Sequence, residues 1–401
     1  MKIYFYGTGN PIASFVKRRI AAIAKNDVNC FITSKNKTIK YINDDNIDVK
    51  RNIDLKIFEF ILMVINILIR PRLLFISILL LYKNRNHFTG GKLKTLIKFI
   101  FYLKYKFDIF HFQWIAHLYE ISWIKPYLRT PVMASVRGSM VTIYPFKYLN
   151  YEDKLREAFR LADRLHFVSR GLMDFCLQRF QLDPAKCFVN YNGIDTEKFK
   201  PVEDRFHEKK HEKIRLVSVG ALIWRKNFQD LLKIIKQSNY LHVIELQIIG
   251  EGEERFILEF MISKYQLENQ VKLLGQLSEE QIIEYLQHAD IYLSTSYAEG
   301  LSNAVMEAAA CGLPVIAFDC EGMNEIIQTN VSGFIIEHGR TDLFVQALDQ
   351  LIENSSLRRE MGQAARQHVV NNLDEDSQVE AMIREYQNLI DTFHSSNERA
   401  H

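Results

Sequence analysis

The chain has 401 residues, which at a usual domain size of about 150 residues corresponds to two or three domains. With 48% hydrophobic and 25% charged residues and only 8 Pro, it has the apolar material for packed cores and is not a disordered chain. The five cysteines, Cys30, Cys176, Cys187, Cys311 and Cys320, form no CxxC pair, which speaks against a disulfide framework or a zinc site and for a reducing, cytoplasmic setting.

The net charge of +3 conceals an asymmetry. Residues 1–195 carry 31 Lys/Arg against 15 Asp/Glu, whereas the remainder carries 20 against 33. A basic half of this kind points to an anionic partner surface. Met1-Lys2 leads directly into an apolar strand at 3–6 and the turn Gly7-Thr8-Gly9-Asn10-Pro11, a start that reads as strand and turn rather than as a secretion signal. A helix is expected at 13–24. The apolar run 58–82 is broken by Asn66 and Arg70-Pro71-Arg72, so it reads as two short helices rather than one span of about 20 residues.

The stretch 60–107 holds nine Lys/Arg and no Asp or Glu. Apolar helices flanked by lysines suit a surface that rests in the headgroup boundary of an anionic membrane; the competing reading is partial core with solvated lysines. No aromatic-interleaved or helix-turn-helix pattern accompanies the charge, so no nucleic-acid partner is expected. Short buried strands are expected at 108–112 and 132–136. His111, Gln113, Trp114 and His117 follow the first of them, either lining an acceptor pocket or packing.

The segment 198–213 is charged and nearly free of apolar residues, which marks a linker. Beyond it, strands are expected at 215–219, 242–249, 271–274, 291–294, 315–318 and 334–336, alternating with helices at 227–237, 254–264, 279–287, 303–311 and 323–328. A final amphipathic helix occupies 374–390. The expected fold class is α/β, two Rossmann-like doubly wound parallel sheets facing a central cleft. The domains are 1–197, carrying the basic and apolar stretch 58–107; the linker 198–213; 214–373; and a terminal segment 374–401.

The segment 294–327 carries the densest chemistry. Glu299 and Glu307 flank seven residues that include Gly300, Leu301, Ser302 and Asn303 and lead into a helix. Free N–H groups at a helix start, with the positive end of its dipole, bind phosphate oxygens. Asn303 and Glu307, four apart, share one helix face, which places Glu307 to accept hydrogen bonds from ribose hydroxyls. The plainer alternative is an ordinary N-cap at Ser302 or Asn303 and a solvated Glu307.

The segment EGLSNAVMEAAACGLPVIA resembles the donor-binding motif of retaining GT-B glycosyltransferases of family 4, the group 1 glycosyltransferases. SVGALIWRKNFQDLL is similar to that family's phosphate-binding strand-turn-helix, QIIGEGEE to its strand ending in a Gly-x-Gly turn, and ADRLHFVSRGLMDF with FVNYNGIDTEKFKP to its passage into the linker. The likeness is good over 160–390; in the first half it is weaker, resting on the Gly-rich turn, FDIFHFQW and SVRGSM. It implies GT-B architecture, with the final helix crossing back to the first domain. It also implies transfer of a sugar from a nucleotide diphosphate sugar, with retention and without a bound metal or other cofactor.

By that resemblance Lys226 neutralises the diphosphate, Glu307 holds the ribose, Glu299 contacts the donor sugar, and Gly300, Leu301, Ser302 and Asn303 supply backbone amides. Gly220 and Gly250 belong to the matching turns. Gly9, whose turn lacks the third glycine of a nicotinamide site, is expected to bring backbone toward the diphosphate. Two departures stand out. Ala221 occupies a position where the family often has Arg, which makes Arg225 the candidate replacement cation beside Lys226 and Glu299 in the catalytic set. Arg137-Gly138 stands where His-Gly is common, and an arginine stays protonated, so no base is assigned there.

The expected acceptor is a lipid-linked or cell-surface polysaccharide precursor, reached from the cytoplasmic face by peripheral attachment to the membrane. Two rival readings remain, a nucleotide-sugar epimerase of the same fold and a non-catalytic scaffold subunit. Glycoside hydrolysis by paired carboxylates has no use for a phosphate cradle.

Overall fold

The computed structural model describes residues 1–6, 14–34, 37–41, 47–51, 107–120, 122, 125, 128–202 and 213–398. Gly9 and residues 58–106 of the expected membrane-facing stretch lie outside them. The chain divides into two compact units: Met1–Phe167 with Cys176–Asn190 and Val379–His401, and Val168–Phe175 with Tyr191–Gln378.

The first unit holds β1 (Lys2–Tyr6), β2 (Asn29–Ser34), β3 (Lys37–Tyr41), β4 (Ile47–Arg51), β5 (Ile109–Phe112), β6 (Val132–Val136), β7 (Arg164–Phe167) and β8 (Cys187–Val189). Their order is β4-β3-β2-β1-β5-β6-β7-β8. Strands β1, β2 and β5 to β8 pair in parallel, and β3 and β4 extend the sheet antiparallel, an edge that the expected all-parallel sheet does not contain.

Ten helices of eight residues or more are found among the described residues. They are α1 (Ser14–Ala24), α2 (Tyr151–Leu161), α3 (Arg170–Phe180), α4 (Phe228–Gln237), α5 (Arg255–Lys264), α6 (Glu279–His288), α7 (Asn303–Ala310), α8 (Thr341–Glu353), α9 (Ser355–Asn372) and α10 (Glu375–Glu398). In the first unit, Ile3, Phe5, Ile109 and Met133 pack with Val16, Ile20 and Ile23 of α1 and with Val379, Met382, Tyr386 and Leu389 of α10. These four residues of α10 follow a three-to-four-residue spacing, so one helical stripe enters the core.

The second unit holds β9 (Ile214–Val219), β10 (Ile244–Ile249), β11 (Val271–Gly275), β12 (Ile291–Ser294), β13 (Val315–Phe318) and β14 (Gly333–Ile336). All pair in parallel, in the order β11-β10-β9-β12-β13-β14. This is the doubly wound order 3-2-1-4-5-6, and its direction reverses at β9, between β10 and β12. The crossovers therefore depart to opposite sides there and leave a crevice beyond the carboxyl ends of β9 and β12. Leu216, Leu246, Leu293 and Ile316 are fully buried in the core that fixes these strands, each contributing about 1.5–3 kcal/mol of apolar burial.

Several elements differ from expectation. The strand expected at 242–249 begins at Ile244, after a helical turn at Leu241–Val243. The helix expected at 323–328 is a single 3₁₀ turn, Met323–Glu325, entered through Gly322 at φ +76°. A Cβ on Gly322 would stand 2.6 Å from the Gly300 carbonyl oxygen, so the chain turns tightly there. The second unit also takes Val168–Phe175 and Tyr191 onward from the expected first domain: the Glu325 carboxylate accepts from the N–H of Arg170 at 2.7 Å and of Gly171 at 3.0 Å. In the expected linker, residues 203–212 lie outside the described ones, and Phe199 is fully buried with its carbonyl bonded to Arg366 at 2.7 Å.

Candidate active site

At the switch point, β9 ends at Val219 and the chain passes through Gly220 and Ala221 to a 3₁₀ turn, Trp224–Lys226. Asn227 then takes a left-handed conformation, φ +52°, which asparagine tolerates, and bonds Asp230 at 2.9 Å as α4 begins. The loop after β12 is tied to this turn. Thr295 Oγ1 donates to the carbonyls of Lys226 and Asn227, at 3.2 and 2.9 Å, and the Tyr297 N–H donates to the Arg225 carbonyl at 2.9 Å. Two segments about 70 residues apart in sequence are thereby held as one surface.

On that surface Lys226, Arg225 and Glu299 meet. Lys226 Nζ is 2.6 Å from Glu299 Oε1, and Arg225 reaches Glu299 Oε2 at 3.0 Å and the Ala298 carbonyl at 2.8 Å. Glu299 is buried. Burial alone would raise its carboxyl, but Lys226 and then Arg225 outweigh that effect, with hydrogen bonds from Lys226 and Ser296, and hold it below the usual carboxylate value. The three side chains carry one net positive charge.

Gly220 and Gly250 serve this arrangement through their lack of a side chain. A Cβ on Gly220 would stand 3.0 Å from Lys226 Cε and 3.2 Å from Cδ, so glycine clears the path for the lysine stem. Gly250, at φ +147°, would drive a Cβ to 1.9 Å from the Gly220 carbonyl oxygen. Its visible work is to let the turn after β10 back the turn after β9.

Ser302 is the N-cap of α7, yet its side chain makes no capping hydrogen bond, contrary to the ordinary-cap alternative. Among the described residues, no backbone N–H of Gly300, Leu301, Ser302 or Asn303 donates a hydrogen bond; the helix begins bonding at Met306 N–H to Ser302 carbonyl, 3.1 Å. Leu301 buries its side chain, anchoring this loop. Asn303 Oδ1 accepts from Asn192 Nδ2 at 3.0 Å. Glu307 is half-buried, and it and Glu299 both raise the Tyr292 hydroxyl, after the larger effect of burial.

Asn192 was not among the sequence candidates, although it lies within the FVNYNGID passage. Glu321, just beyond β13, was also missed. Burial raises its carboxyl, and the neighbouring Asp319 and Glu299 raise it further against His338. No short motif marks either residue, because each acts through contacts distant in sequence.

In the first unit, His111 belongs to a buried polar chain rather than to a pocket. His111 Nδ1 bonds the Tyr386 hydroxyl at 2.7 Å and Nε2 bonds Ser135 Oγ at 2.8 Å; Ser135 bonds His166 Nδ1 at 2.8 Å, and His166 Nε2 bonds the Asn190 carbonyl at 2.7 Å. Arg137 is buried as well. Its Nε donates to the Gln113 carbonyl at 3.0 Å, one Nη donates to Gln113 Oε1 at 3.1 Å, and its guanidinium lies over Phe15 and Trp114. His117 stays near the surface, bonded to Glu120 at 3.0 Å.

Two family models match consecutive stretches of the chain: Glycosyltransferase Family 4 over residues 70–198 and Glycosyl transferases group 1 over residues 199–368. The chain belongs to these glycosyltransferases. Among similar proteins, the amylovoran biosynthesis glycosyltransferase AmsD of Erwinia amylovora is 33% identical over 52% of this chain and 58% of its own length. The UDP-Gal:alpha-D-GlcNAc-diphosphoundecaprenol alpha-1,3-galactosyltransferase of Escherichia coli is 28% identical over 53% and 57%. The matched region therefore spans less than two thirds of either relative. HepE of Anabaena, solved in complex with UDP, has the same fold, with a TM-score of 0.71 over 97% of this chain and 100% of that one at 16% identity. The fold of this glycosyltransferase-family chain is GT-B. Among its described residues, no helix is long and apolar enough to cross a membrane.

Proposed function

We propose that the protein is a glycosyltransferase that moves a sugar from a UDP- or GDP-sugar to a lipid-linked or cell-surface polysaccharide precursor, with retention of anomeric configuration. The observation that carries this reading is the meeting of Lys226, Arg225 and Glu299 beside the unengaged N–H groups that open α7. In this reading the diphosphate lies on those N–H groups and meets Lys226 and Arg225, while Glu307 holds the ribose. Glu299 faces the donor sugar and keeps both cations in register.

Charge accumulates on the leaving nucleoside diphosphate as its bond to the sugar breaks. Fixed cations and amide dipoles then stabilise the transition state more than the ground state. The acceptor oxygen attacks from the face the diphosphate leaves, and its proton passes to an oxygen of the departing phosphate. No metal or other cofactor enters this scheme. The acceptor class is supported by the amylovoran and diphosphoundecaprenol relatives, and peripheral contact with an anionic membrane at the cytoplasmic face by the nine cations of 60–107.

The test is to incubate the protein with UDP- and GDP-sugars and a synthetic polyprenyl-diphosphate-linked saccharide, then read nucleoside diphosphate release and the product's anomeric proton by NMR. Acceptor-dependent release with an α product from an α donor is expected. A β product would overturn retention, and no release from any pairing would overturn the transferase assignment.

A further inference from the structure

We propose that Trp224, Tyr297 and His338 form a stacking subsite for the ring of a pyranose sugar. The proposal rests on the reading of the neighbouring site as one for a nucleotide-sugar. The three rings come from the ends of three different strands: Trp224 follows β9, Tyr297 follows β12 and His338 follows β14. Ring centroids are 6.3 Å apart for Trp224 and Tyr297 and 5.7 Å for Tyr297 and His338, with 33° between planes in each pair. They make a row along the carboxyl edge of the sheet, where ligands of doubly wound folds bind.

These rings are open to solvent. Trp224 is 48% and Tyr297 46% exposed, whereas the aromatic residues Tyr292, Phe318 and Phe344 of the same unit are almost fully buried. Tyr297 is also anchored. Its N–H donates to the Arg225 carbonyl at 2.9 Å, and its ring contacts both Trp224 and His338. A ring positioned in this way costs little ordering when a ligand binds.

The chemistry of that face selects the ligand. Indole and phenol faces are apolar and electron-rich, and they fit the C–H face of a sugar ring while leaving its hydroxyls to polar partners. Trp224 adjoins Arg225, and Tyr297 lies two residues before Glu299, the residue assigned to the sugar. Glu307, assigned to the ribose, lies a helical turn inside α7. The subsite thus belongs to the sugar end of the ligand rather than to its base.

The experiment measures Kd by calorimetry and saturation-transfer NMR for wild type, Trp224→Ala and Trp224→Phe. The probes are UDP and GDP, their glucose, galactose, N-acetylglucosamine and mannose conjugates, and the matching methyl glycosides. At least one sugar-bearing probe is expected to bind Trp224→Ala fivefold or more weaker, with the parent nucleotide within twofold of wild type and with recovery in Trp224→Phe. Loss confined to nucleotide-sugars places the donor sugar on the rings; loss confined to methyl glycosides places the acceptor there. Equal weakening of the nucleotide alone would mean base stacking and would overturn the proposal, as would unchanged binding of every sugar-bearing probe. Failure of wild type to bind any nucleotide would remove the reading of the neighbouring site, leaving the glycosides to decide the subsite.

Discussion

Replacing Lys226 by alanine removes one of the two cations that meet Glu299 and leaves that buried carboxylate with Arg225. Turnover should fall about 10²–10³-fold, the usual consequence of removing one transition-state contact to a developing anion. Cys311→Ser is the contrasting case: Cys311 is fully buried at the end of α7, so a hydroxyl there should cost about 1–3 kcal/mol of stability and leave nucleotide affinity as it was. Steady-state kinetics with a denaturation curve on each variant separates the two. Equal, mild effects of both changes on turnover would show that the site lies elsewhere. The same residue scale shows what the sequence discloses. Lys226 stands in one contiguous motif and Glu299 and Glu307 in another, so all three are legible, and Arg225 is legible as the cation nearest to the missing one at Ala221. Asn192 and Glu321 are not, since only the fold brings Asn192 to Asn303 and Glu321 near Glu299.

At the scale of elements, the glycine turns and the buried histidine chain make separate claims. Gly250→Ala should cost about 2 kcal/mol or more and also weaken nucleotide binding, because the new Cβ would displace the Gly220 carbonyl that backs Lys226. Gly339→Ala, at φ +82° but with nothing within 4 Å, should cost about 1 kcal/mol and leave binding alone. Thermal melts with and without nucleotide check both. Burial, followed by nearby arginines, holds His111 and His166 well below the ordinary histidine value of 6.5. Their folded-state values are depressed, so the unfolded chain binds more protons below pH 6.5. Stability is full above that pH and declines as pH falls, by up to about 1.4 kcal/mol per pH unit for each histidine. Urea melts from pH 7.5 to 5 should show this slope, and His166→Gln should reduce it; an unchanged slope would contradict the account.

Elements differ in how far local pattern determines them. In α4, expected at 227–237, the spacing of Phe228, Leu231, Leu232 and Ile235 is helical, so that element is open to a reading by period. The 3₁₀ turn at Met323–Glu325 falls short of the helix expected at 323–328, and beyond it the Gln328 N–H donates to the Ser332 hydroxyl at 2.8 Å instead of to a helical carbonyl, a contact outside the helical period. The antiparallel edge is a larger omission, since no strand is expected at 37–41 or 47–51. Both segments, KTIKY and IDVKR, are too short and too charged to stand out by period.

For the whole molecule, the alternation of strands and helices is enough to derive two doubly wound sheets, and the family match agrees with it over residues 70–368. The boundaries between units are less legible, because the pairing of Glu325 with Arg170 and Gly171 draws Val168–Phe175 into the second unit against chain order. The central claim concerns that second unit: its switch point binds a nucleoside diphosphate through Lys226 and the start of α7. Calorimetric titration of UDP and of GDP into wild type and Lys226→Ala, with and without EDTA, tests this most directly. The account predicts that one nucleotide binds wild type equally well in both buffers and binds Lys226→Ala at least tenfold more weakly, a difference of about 1.4 kcal/mol. Binding of neither nucleotide, or equal affinity in the two proteins, would contradict it.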